Sequence, residues 1–381
     1  MTAVALREEA SRVAQDFSLR DATPADSAAL IELAACCPMN GEMSLRMDRG
    51  PDFFALNRLE GDRWNLAIAE RAGGLVGCIA MSERNVYVNG RPTRTGYVGD
   101  FKVHPAHRDT RIADALSLRA EEWFGSLPPT APLFITVLAG NKAMERRLSG
   151  PRGVASFQKV GTIRTHSVPI LWRRKENRRT PLCVDAARWS DLDEMVALWN
   201  SVAPFRQLAT VLSASSLADW IRNAPGLDIS SYRLARSASG ELLGFLAVWD
   251  QRSFKQLTVV GYSRRMNAAR LAFNSLCPFL GVERLPAPGS PLECVTLAHV
   301  CVSADRSDVL SSILTSVYNE MRATRCSFMN VGLDVRDPLS EALSGFLAQP
   351  TDVNAYMMRI RSGVVPEPLD DRPIHYEIAL V

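Results

Sequence analysis

The stretch Val103-His104-Pro105-Ala106-His107-Arg108-Asp109-Thr110-Arg111-Ile112-Ala113 gathers residue types suited to holding an anion. A strand ends at His104-Pro105, because proline lacks a donor and restricts the residue before it. A helix begins near Ile112, and its first amides have no intrahelical acceptors. Those N–H groups, the helix dipole and the guanidinium of Arg108 or Arg111 would stabilise a negative group in the crevice beyond the strand. A strand-to-helix turn of this kind is also where open α/β sheets leave ligand crevices. The plainer alternative has Arg108 and Arg111 facing solvent beside Asp109 and Asp114.

Two histidines in the stretch, His104 and His107, flank Pro105, but no third ligand accompanies them at a spacing that a metal site would need. A general base at His107 stays open because a free imidazole titrates near neutrality. His299, in an alternating strand, reads as a core-edge residue. The eight cysteines lack the short paired spacings of zinc or redox motifs. Cys78, Cys294 and Cys301 fall in apolar runs and read as buried free thiols of a reducing compartment.

With 381 residues, two domains are the default expectation. A formal charge of +3, from 44 basic and 41 acidic residues, gives no general pull toward nucleic acid or an anionic membrane. The basic run from Arg173 to Arg179 reads as a solvated linker. Met1 to Phe17 has no signal-peptide core, and no stretch is long and apolar enough to span a bilayer. A soluble cytoplasmic protein is the expectation, without nucleic acid or membrane partners.

The elements that must position the anion-binding stretch come in a repeated order. Leu19 to Asp26 reads as a short strand and a capped helix start. Apolar runs at Asn65–Glu70 and Leu75–Met81 flank Ala72-Gly73-Gly74 as a hairpin, and Asn89-Gly90 marks a second. Tyr97–Val103 is a strand, the spacing of Ile112, Leu116, Ala120 and Trp123 predicts a helix, and Leu133–Leu138 is a strand buried on both faces. The second half repeats this with Cys183–Ala186, Tyr232–Arg236, Leu242–Val248, Cys294–Val302, a helix on Val309, Ile313 and Val317, and a strand at Phe328–Gly332. An internal duplication follows. Thr258 to Pro291 is richer in loops, Asn354–Ile360 reads as a strand completing the second sheet, and His375–Val381 docks on the body as an added edge strand.

Strand, Val-x-Pro, Arg-x-x-x-x-Ala, helix resembles the acyl-CoA pyrophosphate loop of the GNAT acetyltransferase superfamily, whose pattern is Gln/Arg-x-x-Gly-x-Gly/Ala. Arg108 takes the first place and Ala113 the last, while Arg111 replaces the central glycine. The order of elements from Leu19 to Leu171 is similar to that fold, and the second half resembles a weaker copy. The resemblance implies an α/β protein of two tandem GNAT-like domains, each a mixed central sheet flanked by helices. Their expected spans are 18–172 and 181–362, with an extension at 363–381.

Several functional expectations follow from the resemblance. Acetyl-CoA or another acyl-CoA would contact Phe101, Lys102, Val103, Arg108, Asp109, Thr110, Arg111, Ile112, Ala113 and Asn141. The amides around Phe101 to Val103 would hold the thioester oxygen if the strand splays from its neighbour, and Asp100 would act as a base through water. Asp100 reads equally well as a polar strand residue or turn partner. The family's acid tyrosine, in an Asn-x-x-Ala-x-x-x-Tyr pattern, falls at Leu148, with Asn141 present and Met144 in the alanine place. The implied activity is N-acyl transfer to a small-molecule amine or a peptide, and the rival reading is an inactive ligand-binding or sensor protein on the same fold. A homodimer is left open.

Overall fold

A computed structural model describes residues 17–39, 41–108, 111–149, 155–175, 182–280, 284–324, 326–360 and 367–381. Most of Met1–Phe17, residues 176–179 of the basic run, and Asp109 and Thr110 of the anion-binding stretch lie outside them.

The first half supplies β1 (Ser18–Asp21), α1 (Ser27–Ala35), β2 (Met43–Asp48), β3 (Arg63–Arg71), β4 (Gly74–Val88), β5 (Arg91–Val103), α2 (Ile112–Trp123), β6 (Leu133–Leu138), α3 (Lys142–Ser149) and β7 (Ala155–Pro169). The second supplies β8 (Cys183–Ala186), α4 (Leu192–Val202), α5 (Ala214–Asn223), β9 (Tyr232–Arg236), β10 (Leu242–Trp249), β11 (Gln256–Tyr262), α6 (Arg264–Leu280), β12 (Cys294–Val302), α7 (Ser307–Met321), β13 (Phe328–Asp334) and β14 (Gln349–Ile360). The hairpin turns form as their residues dictate: Ala72-Gly73 and Asn89-Gly90 all take positive φ, the conformation that two-residue hairpins require.

Twelve strands make one continuous sheet in the order β1-β3-β4-β5-β6-β14-β7-β13-β12-β10-β9-β8. Matching elements in chain order, β1 with β8 through to β7 with β14, makes this order a palindrome. The last strand of each half therefore crosses into the other's territory. β14 does not complete the second half's part of the sheet; it pairs antiparallel with β6 and β7, while β7 pairs with β13. Both β6 and β13 are largely buried, so neither could be left as a bare edge, and the exchange supplies each with a partner.

Helices cover both faces. α1 packs on Leu66, Ile68, Cys78 and Ala80, and α2 on the alternate residues Ala67, Ala69, Ile79 and Met81. α4 and α7 cover the second half in the same way. Gly77 lets α2 approach, since a Cβ there would stand 3.0 Å from Ile112 Cγ2 and 3.1 Å from Leu116 Cδ1. Gly244 does the same for α7, 3.1 Å from Val309 Cγ1.

Three further expectations are corrected. The loop-rich segment after Thr258 contains β11, which pairs with β2 in a separate two-stranded sheet, and the seventeen-residue helix α6. Alanines and leucines through its middle favour the helix, and Pro278 falls only in its last turn, where little helix remains to be disrupted. His375–Val381 forms no edge strand; it ends in a 3-10 turn at Ile378–Leu380 wedged inside the body, with Tyr376 and Ala379 buried. Arg174 is not merely solvated, because it donates to the Gly345 carbonyl at 2.7 Å and lies over the Phe346 ring. No helix among the described residues is long and apolar enough to cross a membrane.

Candidate functional site

The site begins where two strands part. β5 and β6 run parallel but pair only through Gly96–Leu133, Tyr97–Phe134 and Val98–Ile135, although they continue to Val103 and Leu138. On its other side β5 carries a bulge: its register with β4 slips between Cys78 and Ala80, and Asp100 adopts φ +44°. Asp tolerates this left-handed conformation better than most residues, and a bulge re-aims the strand locally. The cleft opens into a cavity of about 210 Å³ lined by Met47, Arg49, Glu60, Ser82, Asp100, Asn141 and neighbours.

The Asp100 carboxylate is fully engaged. It receives Arg49 Nη1 at 2.5 Å, Lys102 Nζ at 2.6 Å and Asn57 Nδ2 at 3.1 Å. Burial alone would raise its pKa, but the charges and hydrogen bonds of Arg49 and Lys102 prevail and hold it far below the usual carboxylate range. Asp100 is thus a fixed anion with little appetite for a proton at neutral pH. Its position anchors the bulge and orients Lys102.

Glu60, a residue with no motif around it, behaves in the opposite way. It is buried at the cavity wall, accepts the Tyr376 hydroxyl at 3.2 Å, and has Arg84 at 3.9 Å. Burial dominates over the attraction of Arg84 and pushes its carboxyl up to about 7. Tyr376 comes from the far end of the chain, its ring 4.9 Å from that of Tyr97, whose hydroxyl meets Thr136 Oγ1 at 2.7 Å. Ser82 belongs to the same lining, but its Oγ is buried and has no hydrogen-bond partner among the described residues. Lys255, lowered to about 8 by burial, donates to the Ala379 carbonyl at 3.1 Å and to Val381, which also lines the cavity.

At the start of α2, Asp114 and Ala115 are the first residues to donate to the Arg111 carbonyl, so the amides of Ile112 and Ala113 precede the helical network. The Ile112 side chain is buried against the sheet. Arg111 is the N-cap residue and its side chain does not cap the helix. Arg108 folds back, Nε donating to the Val103 carbonyl at 3.4 Å. Arg147, which local sequence signals did not single out, reaches across from α3 to Asp114 at 2.7 Å and to the Ala113 carbonyl at 3.0 Å. It also lies 5.6 Å from the Phe101 ring, so a third cation joins Arg108 and Arg111 near the helix start.

Asn141 borders the cavity and caps α3, accepting the Met144 amide at 3.3 Å. Leu148 is buried in the core beneath α2. His104 Nδ1 accepts the Ala106 amide at 3.3 Å, and His107 Nδ1 sits 3.4 Å from Arg71. His299 is buried with Nδ1 2.7 Å from the Tyr232 hydroxyl.

Comparison with known proteins adds the following. Residues 28–146 match the model of the Acetyltransferase (GNAT) family. No curated protein matches the chain. The fold is similar to that of N-myristoyltransferase from Saccharomyces cerevisiae, solved with bound myristoyl-CoA, at TM-score 0.63 and 12% identity, covering 94% of this chain and 88% of that one. It is also similar to a GCN5-related N-acetyltransferase from Sphaerobacter thermophilus, at TM-score 0.59 and 15% identity over 92% of this chain and 97% of that one. A GCN5-related N-acetyltransferase from Anabaena variabilis aligns at TM-score 0.51 and 12% identity, covering 90% of this chain and 72% of that one. At these identities the likeness is one of fold.

Proposed function

We propose that this protein, whose residues 28–146 match the model of the Acetyltransferase (GNAT) family, is an acyl-CoA-dependent N-acyltransferase whose reaction runs in the first half of the chain. The observation that carries this reading is the parting of β5 and β6 beyond Val98 and Ile135, beside a helix whose first amides precede its hydrogen-bond network. The pantetheine arm would enter between the strands, with the thioester carbonyl toward the backbone of Phe101, Lys102 and Val103. The pyrophosphate would lie at Arg108, Arg111, Ile112 and Ala113, with Asp109 and Thr110 adjoining by sequence, and Asn141 would border the arm. A cavity of about 210 Å³ suits a short acyl group, which makes acetyl-CoA the donor of choice.

Acyl transfer requires an amine with a free lone pair, a donor to the developing oxyanion and a proton for the departing thiolate. Glu60, poised near neutrality, is the proton acceptor for a small-molecule or peptide amine; Asp100 holds the bulge instead. Neither acceptor class is favoured over the other by the residues present. A second reading, a ligand-binding protein without turnover, is favoured by Arg111 in the loop-glycine place and by Leu148, which has no proton to give.

Calorimetry with acetyl-CoA and longer acyl-CoAs tests the reading, run beside the Arg108→Ala, Arg111→Ala double variant. Micromolar binding weakened in the double variant supports the phosphate loop, and no heat with any CoA overturns it. Thiol release across a panel of amines then separates the two readings, because a binding protein gives none.

A further inference from the structure

The β11–α6 segment has no counterpart in the first half, where β4 and β5 are joined directly at Asn89-Gly90. It is also where the exposed large apolar side chains crowd together. Phe279 is 87% exposed, Leu271 55% and Leu276 54% on α6, and Val260 on β11 is 49% exposed. At ~100° per residue the three α6 side chains fall within an arc of about 140°. Half-buried Met266 and Phe273 and buried Cys277 occupy the other side of the helix, which is the side that packs. α6 is therefore apolar on two faces while only one is covered by described residues, and a helix of that kind ordinarily has its second face buried as well.

The charges on the helix say what could cover it. Over its seventeen residues α6 carries Arg264, Arg265 and Arg270 and no acidic residue. Arg264 and Arg265 are exposed and share the outward arc with Leu271, Leu276 and Phe279, and neither pairs with a carboxylate among the described residues. A second copy of this chain seated there would add the same arginines, with no carboxylate on the helix to receive them. An anionic surface would neutralise them while accepting the leucines and the phenylalanine into an apolar layer. The overall charge of +3 conceals this local face.

We propose that the outer face of α6 docks on an anionic lipid surface, with Leu271, Leu276 and Phe279 entering the acyl boundary and Arg264 and Arg265 meeting the headgroups. β11 pairs with β2, whose Met47 lines the cavity, so the docking segment is joined to one wall of the cavity.

Flotation of the full chain tests this, with vesicles of phosphatidylcholine alone and of phosphatidylcholine with about one-third phosphatidylglycerol. The chain should float with the anionic vesicles and not with the neutral ones, and binding should fall as salt rises. An Arg264→Gln, Arg265→Gln variant should lose about fivefold in affinity for each arginine removed. A Leu271→Gln, Leu276→Gln, Phe279→Ser variant should lose flotation with its melting temperature unchanged, since these side chains face outward. Trp172→Gln, an exposed aromatic elsewhere, should float as the parent does. The proposal fails if the parent floats with neither vesicle, or if the α6 variants float as well as the parent. It also fails if the parent is a dimer in solution that the α6 apolar variant dissociates, because the face then belongs to a second copy.

Discussion

Asp100 on β5 and His299 on β12 occupy the same place in the two halves of the chain, and their surroundings differ completely. Both sit in bulges that slip the strand register, and both take positive φ, +44° and +49°. In both halves the next parallel strand stops pairing early, after Val98–Ile135 in one and Thr296–Asn330 in the other. The first gap leads to a cavity. The second is filled by the protein's own side chains: the His299 amide donates to both oxygens of Glu377, at 3.0 and 3.1 Å, and Arg206 donates to the carbonyls of Val300 and Val302 and pairs with Asp337. Trp220 closes over the His299 ring at 4.3 Å. The backbone that opens a cleft thus occurs twice, and the two halves differ in what occupies it, a cavity in the first and side chains in the second. The loops agree, since His104 to Arg111 connects strand to helix in the first half and only Ser303 to Arg306 does so in the second.

The largest effect should come from Glu60, the buried carboxylate at the wall of the open cavity. Glu60→Gln should lower turnover by about 10²–10⁴-fold if Glu60 is the proton acceptor, with the KM for acyl-CoA nearly unchanged. In the parent protein the rate should climb as pH rises through about 7, where Glu60 ionises. An unaltered rate and pH profile in the variant would remove Glu60 from the chemistry. The same group has a stability signature. Its folded pKa of about 7 lies above the ordinary 4.5, so its contribution is full below 4.5 and is lost as pH rises through about 7. The loss amounts to about 1.4 kcal/mol per pH unit within that window, and melting temperatures of Glu60→Gln against pH should lack it.

Glu377 is the opposite case and sharpens the contrast. Burial would raise it, but His299 and the hydrogen bond from His375 hold it down to about 2. Its contribution is present above the ordinary 4.5 and is lost as pH falls through about 2, so the two buried carboxylates should bend the stability curve in opposite directions. Glu377→Ala leaves the His299 amide without an acceptor, a loss of about 1–3 kcal/mol readable by denaturant unfolding. The stoichiometry of acyl-CoA binding should stay at one per chain, because Arg206 still fills the second cleft. A second bound equivalent would mean that Glu377 alone closes it.

The glycine pair gives a matched comparison of smaller size. Gly77→Ala and Gly244→Ala each press a methyl group against the helix and strand they admit, and each should destabilise by about 1–3 kcal/mol. Only Gly77→Ala, which displaces the start of α2, should also weaken acyl-CoA binding. Equal losses of affinity in both variants would break the assignment of binding to the first half.

Much of this arrangement is legible in local sequence. β9, β12 and the Asn89-Gly90 turn follow from alternation and turn chemistry, and the duplication follows from their order. The path of β14 does not, because the pattern of Asn354–Ile360 states which residues are apolar and not which strand lies alongside. The tail is similar: Tyr376 reaches Glu60 across 316 residues of sequence, a contact that no periodicity encodes. Glu60 itself, in Leu59-Glu60-Gly61, has the look of a polar turn, and only the packing of Tyr376 and Arg84 turns it into a buried group. Asp100 is visible as a carboxylate on the right strand, whereas Arg49, which fixes its charge, comes from the connection between β2 and β3.

The smallest effect concerns Asn141, whose counterpart in the second half is Asp337. Each stands just after the inner parallel strand, and each accepts an amide of the turn that follows, Met144 at 3.3 Å and Leu339 at 2.9 Å. Asp337 is further committed to Arg206 within the plug, while Asn141 faces the cavity. Asn141→Ala should therefore cost about 1 kcal/mol as a lost cap. Fraying of α3 would loosen Arg147 from Asp114 at the start of α2, so acyl-CoA affinity should fall modestly, by less than in the Arg108→Ala, Arg111→Ala double variant. Asn141→Ser, which keeps a capping oxygen, should restore both stability and affinity. If Asn141→Ser recovers the melting temperature but not the affinity, the asparagine amide contacts the ligand itself and is more than the cap of α3.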